Sequence, residues 1–344
     1  KRSENDKHSQ GYLFNRAEND LNLNSKINHL KCMEYINLGK SDIKVSRIGI
    51  GTWQASYKEW GNDVDDDNII QAVHRSYELG VNFIDTAEIY GKGHSEIIVG
   101  KAIKDIDRDK IIIATKVHGA HLRHDELIKS VELSMKRLGV KYIDLYQIHW
   151  PDPWEQISLK ETMKAMEELY KDGKIKAIGV SNFAVRDLEE SLNYLSRTSI
   201  VSNQVRYNML QREIEEEVMP YCKKNGITII AWSPLAQGVL TGKYNENNLP
   251  RDKIRSGNEL FKKNNIKQIS NLLKILEKVA QYKRKTVSQI ALNWLLMHDQ
   301  VVPIPGAKTP QQAEANVGAI GWKLEPDELE KIEGELEKID IDYM

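Results

Sequence analysis

The chain of 344 residues has almost no cysteine, Cys32 and Cys222 being its only two. Two thiols exclude a disulfide framework and fit a reducing compartment, so the expected location is the cytoplasm. Long apolar runs are missing as well. The longest, Ile227 to Trp232 and Ala291 to Met297, are interrupted by Thr228 and Asn293 and fall far short of the roughly 18 residues that suggest a membrane span. Neither sign of charge is in surplus: 49 Lys+Arg stand against 50 Asp+Glu, a formal net charge of −1. Counterion release on nucleic acid needs a dense cationic face, so neither nucleic acid nor a membrane is an expected partner. No Walker A loop, Gly-x-Ser-x-Gly elbow or Cys-x-x-Cys pair occurs. The turn Gly49-Ile50-Gly51-Thr52-Trp53-Gln54 lacks the third glycine with which an open dinucleotide-binding sheet usually begins.

What is present is an alternation. Residues 1–32 are polar, rich in Asn, Asp, Ser and Lys, and follow no period, so they read as a tail or cloning remnant with Met33 as a native start. The remainder, 33–344, reads as one domain. Tyr35 to Leu38 and Val45 to Ile48 flank Gly39-Lys40-Ser41-Asp42, the chemistry of an antiparallel hairpin. Eight β-branched runs then follow: 47–52, 82–85, 110–115, 142–148, 175–180, 202–205, 227–232 and 301–304. Amphipathic stretches separate them, for instance Leu127, Val131, Met135 and Leu138, or Met163, Met166 and Tyr170. Eight strand–helix units with right-handed crossovers predict an α/β fold, a (β/α)8 TIM barrel. The stretch 237–266 is too long for an ordinary connection and is expected to hold a functional loop.

In such a barrel every strand opens its carboxyl end onto one face. Asp85, Lys116, His149 and the pair Ser181-Asn182 close four consecutive runs at spacings of 31, 33 and 32 residues. Polar strand ends often only meet solvent, but ionisable groups on three adjacent strands, with Tyr90 five residues after Asp85, predict a site. A phenol is a poor acid at neutral pH. A lysine ammonium nearby lowers its pKa, Asp85 supplies the counter-charge that a buried Lys116 needs, and His149 can donate a hydrogen bond to the same oxygen. The set suits protonation of a carbonyl as hydride arrives.

Six segments resemble the aldo-keto reductases in order and spacing: Gly80 to Gly91, Ile113 to Lys116, Tyr142 to Pro151, Ile178 to Phe183, Asn203 to Asn208 and Ala231 to Leu235. The resemblance covers 34–338. It implies a barrel whose amino end is capped by the early hairpin, with NADPH extended over the carboxyl face. It implies Asp85, Tyr90, Lys116 and His149 as the catalytic tetrad, with Tyr90 the general acid. Ser181, Asn182 and Gln204 match residues that hydrogen-bond the nicotinamide carboxamide, Trp232 the aromatic stacked on its ring, and Ser233 and Leu235 further cofactor contacts.

The segment Ile304 to Asn316 resembles the one that grips the adenosine phosphate, implying contacts from Gly306, Lys308, Thr309, Gln312 and Asn316. A helix amino end with a lysine suits a 2′-phosphate. Gln312, however, stands where many family members have arginine, so NADPH is expected with NADH possible. Trp53 and Trp150 are expected to line an apolar or aromatic-tolerant pocket for a small-molecule carbonyl, with lesser help from Tyr57 and Trp60. His118, His121 and His124 invite a metal reading, but no companion ligands are evident and a solvated loop is expected. Two other functions compete with carbonyl reduction. One is an NADPH-binding regulatory subunit like the potassium channel beta subunits, which resemble the same fold; the other is different chemistry on the same scaffold. The sequence leaves the oligomeric state open.

Overall fold

The computed structural model describes residues 33–342 apart from 62, 63, 153 and 155. The N-terminal tail and Cys32 lie outside the described residues. Strands β1 (Tyr35–Asn37) and β2 (Lys44–Ser46) pair antiparallel, with Ile36 opposite Val45. Gly39 turns between them at φ +57°, where a Cβ would lie 2.4 Å from the Val201 carbonyl oxygen. Glycine therefore lets the hairpin seat against the barrel's amino end, where Gly39 N–H donates to Thr228 Oγ1 at 2.8 Å.

Eight parallel strands follow: β3 (Ile50–Gly51), β4 (Phe83–Asp85), β5 (Ile112–Val117), β6 (Ile143–Ile148), β7 (Ile175–Ser181), β8 (Ile200–Arg206), β9 (Thr228–Trp232) and β10 (Val301–Pro303). They are ordered in space as in sequence. The sheet closes where Gly49 and Gly51 N–H donate to the carbonyls of Pro303 (2.9 Å) and Pro305 (3.2 Å), completing a (β/α)8 barrel. Prolines accept but cannot donate, so this seam is short, and the first run, expected over 47–52, pairs only at Ile50–Gly51. In the third, β5 continues to Val117, which places Lys116 inside the strand rather than at its end.

Strands covered on both faces should be almost wholly buried, and β5 and β6 are. Helices cover the outside. Helix His124–Leu138 buries Leu127, Val131, Ser134 and Leu138 and ends on Gly139 at φ +69°. Helix Leu159–Lys171 starts on Ser158, whose side chain accepts from Lys160 N, and buries Met163 and Met166. Inside the barrel Phe83, Ala114, Leu145, Ala177, Val201, Ile230 and Val302, one from each of β4 to β10, form an apolar layer with Leu38 and Val45 of the hairpin. Side chains alternate along a strand, so the next inward layer toward the carboxyl face begins with Asp85, Lys116, Gln147 and Gly179.

Candidate active site

The four residues expected to carry chemistry meet above the apolar layer. Asp85 closes β4, Lys116 is the penultimate residue of β5, and His149 directly follows β6. Tyr90 begins the turn Tyr90–Gly93, where Gly91 and Lys92 take φ near +56° and +55° and fold the chain back over the strand end. Lys116 is fully buried. Its Nζ donates to Asp85 Oδ1 at 2.6 Å, to the Thr86 carbonyl at 2.7 Å and to Tyr90 Oη at 3.4 Å. The Tyr90 and His149 rings meet edge to face, with centroids 5.7 Å apart.

Burial is the largest single influence and disfavours the ammonium, but Asp85 and Tyr90 together outweigh it, so the Lys116 pKa lies above the ordinary lysine value. At Tyr90 burial is the largest influence and raises the phenol pKa, Lys116 lowers it, and Asp85 raises it again; the net direction is upward. This corrects the expectation that Lys116 brings the phenol toward neutrality. At neutral pH Tyr90 keeps its proton, beside a cation able to receive the phenolate. Burial first, then Lys116 and His118, lower the His149 pKa to about 2, so its imidazole is neutral. Its Nδ1 is buried with no partner among the described residues. That arrangement favours the tautomer with the proton on Nε2, because an unpaired buried acceptor is tolerated better than an unpaired donor.

Around this group the ends of β6 to β9 are tied together. Ser181 Oγ donates to the Gln204 carbonyl at 2.8 Å. Asn182, at φ +61°, donates from Nδ2 to the His149 carbonyl (3.1 Å) and accepts Trp232 Nε1 on Oδ1 (3.0 Å), which fixes the indole. A cleft of about 700 Å³ runs from Tyr90 and His149 past Ser181, Asn182, Gln204, Trp232, Ser233 and Leu235 to Gly306, Lys308, Gln312 and Asn316. At the far end Lys308 Nζ donates to the Trp60 carbonyl at 2.7 Å, and its backbone N–H to Gln312 Oε1 at 2.8 Å. Thr309 does not line the cleft; its hydroxyl caps helix Pro310–Val317 by accepting from Gln312 N–H.

Trp53 stacks near Tyr90 with centroids 6.0 Å apart, Trp60 meets Trp53 edge-on at 4.9 Å, and Trp150 stacks beside His149 at 6.4 Å. All three tryptophans line the cleft. Tyr57 does not, being turned onto the His94 ring with centroids 4.2 Å apart. The three histidines, expected on one solvated loop, each have their own partner, and His124 opens the helix His124–Leu138: His118 Nδ1 accepts from Ala120 N–H, His121 pairs with Glu88, and His124 with Asp125 and Glu168. Among the described residues no cluster of His, Cys, Asp or Glu is arranged to hold a metal ion.

Sequence reasoning missed several lining residues. Gln54, Lys243, Tyr244 and Arg255 also face the cleft. The Arg255 guanidinium lies 5.4 Å from the Tyr244 ring and 5.9 Å from that of Trp60, so the long 237–266 segment forms a wall reaching the loop after β3. Gln147, which is buried behind the cleft, was missed too, although its place in β6, two residues before His149, already put it on the inner face.

The Aldo/keto reductase family model matches residues 47–337. Aldo-keto reductase YhdN of Bacillus subtilis is 37% identical over 317 residues, covering 89% of this chain and 94% of that protein. NADH-specific methylglyoxal reductase of Escherichia coli is 32% identical over 313 residues, covering 85% and 95%. The structure of glycerol dehydrogenase AKR11B4 from Gluconobacter oxydans superposes with a TM-score of 0.80 at 32% identity, over 90% of this chain and 97% of that one.

Proposed function

The chain belongs to the aldo/keto reductase family, and from that premise we propose that it reduces aldehydes or ketones to alcohols, with Tyr90 as the proton donor. One observation carries the reading: the Tyr90 hydroxyl, the buried Lys116 and the His149 ring converge at one end of a long cleft. A bound reduced nicotinamide supplies the hydride. The residues present fit such a group. The Gln54 amide lies where a Cβ on Gly306 would be, so glycine lets it pack against the backbone there, and Gln54 Oε1, on the cleft wall, is a buried acceptor without a partner among the described residues, able to accept from a hydroxyl or amino group of the cofactor. Ser181, Asn182, Gln204, Trp232, Ser233 and Leu235 would hold the nicotinamide half. Gly306, Lys308, Gln312 and Asn316 would hold the adenosine half, near the amino end of helix Pro310–Val317.

The chemistry then follows from the side chains. His149 Nε2–H and the Tyr90 hydroxyl bind the carbonyl oxygen and stabilise the charge that develops there. Tyr90 gives its proton to that oxygen, Lys116 holds the resulting phenolate, and water restores the proton. Asp85 keeps Lys116 charged. Trp53, Trp60 and Trp150 make the approach apolar and favour substrates that carry an apolar or aromatic group. Lys308 supports a modest preference for NADPH, while Gln312 cannot form an arginine's bidentate pair with a 2′-phosphate. NADH stays the alternative, since the relative from Escherichia coli is named as NADH-specific while two structures from Klebsiella pneumoniae are complexes with NADP and NADPH.

Steady-state oxidation of NADPH and NADH with a panel of aliphatic and aromatic aldehydes tests the proposal, and turnover of at least one aldehyde is expected. Tight cofactor binding with turnover of none would replace it by the regulatory-subunit reading.

A further inference from the structure

Behind the cleft lies a polar contact that neither carbonyl binding nor the cofactor contacts require. Asp85 Oδ1 accepts from Lys116, while Oδ2 accepts from two amides, Gln204 Nε2 at 2.8 Å and Gln147 Nε2 at 3.2 Å. Gln204 Nε2 also donates to Gln147 Oε1 at 3.3 Å. A carboxylate only accepts, so both amides must turn their nitrogens toward it, which fixes the orientation of each. Gln204 lines the cleft; Gln147 does not, and it is fully buried. The neighbouring strand leaves room for it, because a Cβ on Gly179 would lie 2.9 Å from Gln147 Cγ.

We infer that Gln147 is a positioning residue of the reaction: it holds Asp85 Oδ2 and the Gln204 amide in one arrangement, and so keeps the Asp85–Lys116 pair aligned beneath Tyr90. Asp85 sits 1% exposed, where water cannot replace a lost donor. Gln204 alone would have to serve both the carboxylate and the cleft. With Gln147 present, the carboxylate keeps a donor and the Gln204 NH2 keeps a second acceptor, whatever the Gln204 carbonyl meets in the cleft. This inference rests on the proposed reduction for its kinetic consequence and on the fold alone for its structural one, so the two can fail separately.

Two variants of the full chain test it. Gln147→Met keeps the volume and removes both hydrogen bonds. It is expected to lower kcat about ten- to a hundredfold, the loss of one hydrogen bond to a charged group, with KM for the aldehyde little changed. Gln147→Glu keeps the shape but places a second carboxyl beside Asp85. Its activity relative to the parent is expected to fall as pH rises from about 5 to 8, because the introduced group donates to Asp85 only while protonated and repels it once ionised. A side chain that merely filled space would leave the Met variant with the parent's kcat.

Thermal unfolding decides the structural half without turnover. Gln147→Met is expected to lower Tm by about 3–6 °C in the parent chain and by less than half as much in an Asp85→Asn background, where no buried charge needs the donor. Equal losses in the two backgrounds, or a Met variant with the parent's kcat, would overturn the inference. Should the Met variant not fold, the Glu variant decides: a pH profile identical to the parent's refutes it. A parent chain that turns over no carbonyl would refute the proposed function and leave the unfolding comparison to judge Gln147.

Discussion

Replacing Lys116 by methionine removes the cation buried beneath Tyr90. Its ammonium has three contacts: Asp85 at 2.6 Å, the Thr86 carbonyl at 2.7 Å and Tyr90 at 3.4 Å. Methionine fills the space but leaves Asp85 as a buried carboxylate held, among the described residues, by the amides of Gln147 and Gln204. Breaking one side of a buried pair costs about 3–5 kcal/mol, far more than the near-zero value of an exposed one, because the remaining charge is uncompensated. For a chain of this size each kcal/mol corresponds to roughly 2 °C, so Tm is expected to fall by about 6–10 °C in thermal unfolding followed by circular dichroism. Adding Asp85→Asn removes the stranded charge and is expected to recover at least half of that loss, whereas carbonyl reduction stays impaired in both variants because the phenolate has lost its cation. A Lys116→Met protein with the parent's Tm, or a double variant no more stable than the single one, would refute the claim that this pair is held by charge.

Further outcomes follow from the same geometry. NADPH is expected to bind about ten- to a hundredfold tighter than NADH, and Gln312→Arg to widen the gap, since one cationic contact at the adenosine end gives a modest preference; equal dissociation constants by tryptophan fluorescence would misplace the phosphate site. The rate of reduction is expected to show no limb from Tyr90 or His149 between about pH 5 and 9, because the phenol pKa is raised above its ordinary 10 and the imidazole lowered to about 2. Since the donor form of Tyr90 is lost only as pH rises through its elevated pKa, a limb near pH 7 that disappears in Tyr90→Phe would contradict the assignment. Stability carries the opposite sign for His149. Its folded pKa is depressed below the ordinary 6.5, so the unfolded chain takes up the proton first and stability falls as pH drops from 6.5 toward 2. His149→Gln is expected to flatten that part of the Tm–pH curve.

The alternation of short β-branched runs with amphipathic stretches made the barrel legible, because parallel strands buried on both faces leave a strong apolar signature. Asp85, Lys116, His149 and Ser181 were legible for a related reason: a charged or hydrogen-bonding group at the end of an apolar run stands out at a spacing of one βα unit. Gln147 was not, although it lies two residues before His149. An uncharged amide inside a strand looks like any polar interruption until the facing carboxylate is known. The wall formed by Lys243, Tyr244 and Arg255 was visible only as a segment too long for a connection, since irregular backbone has no period to place its side chains. The direction of the Tyr90 pKa turned on depth. Sequence placed the cation beside the phenol, but burial, which outweighs it, belongs to the assembled cleft.

Proton donation by Tyr90 is the step on which the proposed reduction depends. It is tested most directly by Tyr90→Phe, with kcat measured for an aldehyde that the parent reduces and the NADPH dissociation constant measured on the same preparation. The expected result is a kcat lower by at least about 10²- to 10⁴-fold, the contribution of a general acid, with NADPH affinity nearly unchanged, because the phenol hydroxyl is not among the groups proposed to hold the cofactor. A variant that keeps most of the parent's kcat would contradict it.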